Sequence, residues 1–99
     1  METAVRTPDD QLPCTLAEVL RALKKQGLQV RHEAADWGDW IYVNGSSTVI
    51  SIESMRGLTS SATVEQPEEE SREEAAPIFT AFHKLGWIGF DEEGEFPLV

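Results

Sequence analysis

The chain predicts an α+β domain, an antiparallel sheet of four to six strands with two helices packed on one face, in the order α-β-β-β-β-α-β-β. Three observations carry this. A capping box opens a helical apolar stripe at residues 15–23. The apolar period then switches from helical to two from Leu28 onward. A second helical stripe stops at Gly86, ahead of an aromatic tail.

Thr15 and Glu18 form the T-x-x-E capping box, in which the threonine hydroxyl accepts from the Glu18 amide and the glutamate reaches back. Leu16, Val19, Leu20 and Leu23 follow at i, i+3, i+4 and i+7, while Arg21, Lys24 and Lys25 take the wet side. Gly27 supplies a left-handed position after the last turn, and Leu28 can fold back on Leu23. The spacing predicts a helix over 15–26. The preceding residues 1–13 are polar, hold two prolines and show no period, so they are expected to form a flexible arm before a single domain at 14–99.

Leu28, Val30 and His32 alternate with Gln29, Arg31 and Glu33, the pattern of a strand with one buried face. The stretch "DWIYVNGSSTVISIE" (39–53) then reads as a hairpin turning at Asn44-Gly45. A loop with an even number of residues puts Ile41 and Val43 on the same face as Ile50 and Ile52. An odd loop would bury Glu53 beside them, and burying a carboxylate costs more than any turn preference. The even register therefore assigns Ile41, Val43, Ile50 and Ile52 to the core. It leaves Trp40, Tyr42, Val49, Ser51 and Glu53 on the far face, beside Arg31.

A fourth strand alternates Leu58, Ala62 and Val64 inward with Thr59, Ser61, Thr63 and Glu65 outward. "QPEEESREEAAP" is an acidic lead-in to the second helix, with Pro67 or a Ser71–Glu74 capping box as candidate starts. Ile78, Phe79, Phe82 and Leu85 give its apolar face; Pro77 would kink a helix interior, so 77–85 is its core and about 71 its expected start. In the tail, residues 87–90 form a strand, a turn ends at Gly94, and a short edge strand tolerates Pro97.

Composition narrows the function classes. Ninety-nine residues with 40% apolar and 26% charged side chains suit one modest core. The net charge of −10 is uneven: residues 1–57 carry eight acids and six bases, and residues 58–99 carry ten acids and two bases. Such a surface repels nucleic acid and anionic lipid, so neither direct nucleic-acid nor membrane binding is expected. No apolar run approaches the ~20 residues that span a bilayer. "METAVRTPDDQLP" lacks the basic start and apolar run of a signal peptide, and Cys14 is the lone cysteine; a cytoplasmic setting is expected.

No catalytic, cofactor or metal signature stands out. Cys14 precedes a helix N-terminus but has no base beside it in sequence, so it reads as an apolar residue packed under Val19. His32 falls on the inward phase near Glu33, Asp36 and Asp39 and reads as a hydrogen-bonded histidine at a strand end. His83 suits a helix C-terminus. "DEEGE" (91–95) lacks the spacing of a calcium loop. "LTSSAT" (58–63) lacks the strand–turn–helix setting of a nucleophile elbow.

Two surfaces are left as candidates. The first is the aromatic island of Trp40 and Tyr42 with Arg31 and Val49, the type of surface that binds a protein partner or a second copy. The second is the acidic set Glu65, Glu68, Glu69, Glu70, Glu73 and Glu74, which could dock a basic partner. The first predicts a non-enzymatic protein-binding or chaperone-like module. The second predicts an inhibitor or immunity-type protein whose acidic helix mimics nucleic acid or blocks a basic effector. The order helix, meander, helix, hairpin over 15–99 resembles that of type III secretion chaperones, which are also small, acidic and often dimeric. The resemblance lies in topology and composition, with no residue motif, and it transfers no functional residue.

Overall fold

Residues Glu2–Arg6, expected to belong to a flexible arm, form a strand (β1) inside the sheet. In the computed structural model, which describes residues 1–99 except the side chain of Arg72, β1 pairs antiparallel with residues of a later strand at 61–65 and of another at 88–90. Val5 is fully buried, opposite Ala62 on one side and Gly89 on the other. Five residues of alternation before Pro8 are a weak local signal, and pairing on both sides overrides it. The chaperone-like order over 15–99 thus omits a strand near the middle of the sheet.

The remaining elements are α1 (Leu16–Lys25), β2 (Val30–Ala35), β3 (Gly38–Val43), β4 (Val49–Met55), β5 (Leu58–Glu65), a 3-10 turn (Arg72–Ala75), α2 (Ala76–Lys84), β6 (Ile88–Asp91) and β7 (Gly94–Phe96). The fold is α+β, with a seven-stranded antiparallel sheet in the order β2-β3-β4-β5-β1-β6-β7 and two helices. That is one strand more than the upper expectation.

Both helices lie on one face. Val19 and Leu23 of α1 and Ile78, Phe79, Ala81 and Phe82 of α2 share a core with Val5, Ile41, Val43, Ile50, Ile52, Ala62 and Val64 of the sheet. The capping box forms in both directions: the Glu18 amide donates to Thr15 Oγ1 at 3.1 Å, and Glu18 accepts from the Thr15 backbone. At the far end Leu28 N–H reaches the Leu23 carbonyl and Gly27 N–H the Lys24 carbonyl, the paired bonds of a Schellman closure.

The start of α2 differs from expectation. Ser71 makes no side-chain cap, and the helix begins at Ala76 with Pro77 in its first turn. A proline lacks the N–H that first-turn residues leave unused, so it starts the helix here instead of kinking it. The glutamates of 68–74 consequently lie on a turn and a 3-10 segment, not on an acidic helix.

The 39–53 hairpin takes the even register. Ile41 faces Ile50 and Tyr42 faces Val49, which places Val43 opposite Thr48 across a four-residue loop. Ile41, Ile50 and Ile52 are completely buried. The inward phase of β5 is different. Pairing runs Glu53 with Ser61 and then Ser54 with Thr59, a bulge that inserts Ser60 and reverses the phase beyond it. Thr59 is buried where it was expected outside, and Leu58 is 50% exposed where it was expected in the core.

Candidate functional site

The sheet face opposite the helices can be read row by row from the strand register. The central row is Glu33, Trp40, Ser51, Thr63, Ala4, Phe90 and Glu95, running from β2 to β7. The row on one side is Arg31, Tyr42, Val49, Glu65 and Glu2. On the other side it holds Glu53, Ser61, Arg6 and Ile88. Period two fixes this sorting, because residues two apart on a strand share a face. Trp40, Tyr42, Val49 and Phe90 are half-buried among their neighbours, and Arg31, Glu53 and Glu65 are exposed.

The four residues of the aromatic island are together. The Arg31 guanidinium stands 4.4 Å from the centre of the Tyr42 ring and pairs with Glu33 at 3.0 Å. Val49 is the cross-strand neighbour of Tyr42. Two further aromatic residues lie on this face, one against the island and one across from it. Trp37, on the β2–β3 turn, meets Trp40 edge to face, with ring centres 5.0 Å apart and planes at 89°. It remains 46% exposed. Phe90 stands at the opposite side of the face, under the Arg6 guanidinium at 5.0 Å, and Arg6 pairs with Glu95 at 2.8 Å. The sequence holds a signal for Trp37, since an aromatic residue between Asp36 and Gly38 has little core within reach. Phe90 carries none, because only the β1–β6 pairing brings it onto this face.

The acidic set is divided. Glu65 belongs to the open face and sits directly across from Glu2 on β1. Glu68, Glu69 and Glu70 occupy the turn after β5, where Glu70 Oε2 accepts from Thr48 Oγ1 at 3.1 Å. Glu73 and Glu74 are exposed on the 3-10 segment.

His32 donates from Nε2 to Asp39 Oδ1 at 2.5 Å, and Ser54 Oγ donates to Asp39 Oδ2. A carboxylate oxygen only accepts, so Nε2 carries the histidine proton. Asp39 is 6% exposed, whereas the His32 side chain is 35% exposed. The carboxylate stands between the two other groups. A serine nucleophile needs the imidazole on its own oxygen, and Ser54 gives its proton to Asp39 instead. The cluster therefore holds β2, β3 and β4 together at the end of the hairpin.

Cys14 is buried with its thiol facing Trp87, whose indole N–H donates to Sγ at 3.4 Å. Among the described residues no group of three His, Cys, Asp or Glu side chains is placed to hold a metal ion, and no helix is long and apolar enough to cross a membrane. No family model, curated protein or solved structure matches the chain.

Proposed function

We propose that the protein is a non-enzymatic, protein-binding module of the cytoplasm that engages its partner through the open sheet face at Trp40, Tyr42, Arg31 and Val49. The observation that carries this reading is the one-sided cover of the sheet. Helices α1 and α2 share one face with the core, and the other face keeps four aromatic rings, Trp37, Trp40, Tyr42 and Phe90, over small hydroxyl-bearing neighbours. Aromatic side chains bury a large area at low entropic cost, which is why they concentrate at the anchors of interfaces. The free thiol of Cys14 fits a reducing compartment.

The test is a paired substitution, Trp40→Ser with Tyr42→Ser, on a face that carries none of the core. Circular dichroism and the thermal midpoint are expected to stay close to those of the parent. Proteins captured from the native cell extract, or the molar mass if the partner is a second copy, are expected to change. Identical capture and identical mass would overturn the reading.

A second reading keeps the acidic residues as the active part, with Glu68, Glu69, Glu70, Glu73 and Glu74 blocking a basic effector. The exposure of Glu68, Glu69, Glu73 and Glu74 on a turn and a 3-10 segment supports it. Its signature is capture of a basic protein that survives Trp40→Ser and disappears when Glu68–Glu70 become glutamines or salt is raised.

A further inference from the structure

We infer that the open sheet face is a trough built for a basic amphipathic helix of a partner protein; this rests on reading that face as a docking surface and specifies what it holds. The shape comes from residue size. Along the central row the side chains run large, small, small, small, large: Trp40, Ser51, Thr63, Ala4, Phe90. The next row adds Ser61 to the floor. Strands lie about 4.8 Å apart, so the four steps from β3 to β6 separate the aromatic walls by about 19 Å at the backbone. That spacing accommodates an α-helix of about 10–12 Å diameter between the two walls. Beside the Phe90 wall lies a shallow, open depression of about 520 Å³, lined by Ala4, Thr63, Phe90, Glu2, Asp91 and Glu92.

The floor also decides against an extended segment. Strand addition needs free backbone donors and acceptors at a sheet edge, and β4, β5 and β1 are paired on both sides. An occupant must bring its own satisfied backbone, which a helix does.

Charge decides the partner's sign. Both arginines of the face are already engaged, Arg31 with Glu33 and Tyr42, Arg6 with Glu95 and Phe90. The carboxylates that remain on this face have no ion-pair partner among the described residues. Glu2 and Glu65 stand directly opposite one another on adjacent strands, and neither has an ion-pair partner among the described residues. Like charges in that position destabilise a sheet, and lysine or arginine from an occupant would relieve them. A second copy brings another net −10 and is repelled over the approach, whereas a basic helix is drawn in.

The probe is a displayed library of random peptides of about 14 residues, some 21 Å as a helix at about 1.5 Å per residue. It is selected on the full chain, and the survivors are then measured against Thr63→Trp, which fills the floor without changing a charge. Survivors are expected to combine Lys or Arg with apolar residues at i, i+3 or i+4, and i+7. They should gain helical circular dichroism on binding. Affinity should fall about tenfold or more on Thr63→Trp and on the shape-preserving pair Glu2→Gln with Glu65→Gln. No survivors, or survivors indifferent to both changes, would overturn the trough. Survivors that bind in an extended form and still lose affinity on Trp40→Ser would overturn the helix but leave the docking surface standing. Indifference to Trp40→Ser and Tyr42→Ser as well would overturn both.

Discussion

The indole of Trp87 donates its N–H to the thiol of Cys14, joining the segment before α1 to the start of β6 through two buried side chains. Cys14→Ala removes the acceptor and leaves that donor unpaired in the core, which costs about 1–3 kcal/mol. Cys14→Ser retains an acceptor and should lose less. Urea melts of the two variants check the order. The same burial makes the thiol slow to react with an aromatic disulfide reagent until the chain opens, so modification should track unfolding across a denaturant series.

Deleting residues 1–6 should abolish cooperative unfolding. It removes Val5 from the centre of the core and leaves β5 and β6 with bare edges facing each other. A truncated chain with an unchanged calorimetric transition would show that β1 is dispensable.

The bulge at Ser60 makes neighbouring residues respond oppositely. Leu58 is half exposed, and Leu58→Thr should alter stability by no more than about 0.5 kcal/mol. Thr59 is buried and its Oγ1 donates to the Cys14 carbonyl at 2.7 Å. Thr59→Ala should therefore cost about 1–2 kcal/mol. Simple alternation along β5 gives the reverse ranking, so one pair of chemical melts distinguishes the two phases.

Asp39→Ala leaves His32 Nε2 and Ser54 Oγ without their shared acceptor, at a cost of about 1–3 kcal/mol in denaturant melts. Asp39→Asn should cost less. The amide keeps one acceptor oxygen, and either the serine hydroxyl or the second imidazole tautomer can accept from its NH₂. Equal losses for the two substitutions would mean that size alone matters at this position.

Much of this architecture is legible where strong local penalties act. Burial of Glu53 is so unfavourable that parity alone places Ile41, Val43, Ile50 and Ile52 inside, and the reciprocal bonds of Thr15 and Glu18 mark the start of α1 as read. Where long-range pairing decides, local pattern fails. Residues 2–6 acquire their strand from β5 and β6, far along the chain. Leu58 leaves the core because one inserted residue reverses the phase of β5, and alternation carries no mark of an insertion. Pro77 reads as a helix breaker until its position in the first turn of α2 is known. The open face was half visible: Trp40 and Tyr42 follow from the hairpin parity, whereas Ala4 and Phe90 reach it only through β1.

The position of β1 also has a consequence for how the chain acquires its shape. Val5 is synthesised before either of its neighbours, Ala62 and Gly89. At about 5–20 residues per second, β1 waits several seconds for its second neighbour to be made. Through that interval the hairpins of β2 to β5 can form and β1 can join β5, and the outer edge of β1 stays open. Closing the sheet is then the last and least local step of folding, which high sequence separation makes slow. A nascent chain halted before β6 exposes that edge, and such a chain is the form of this protein most inclined to aggregate.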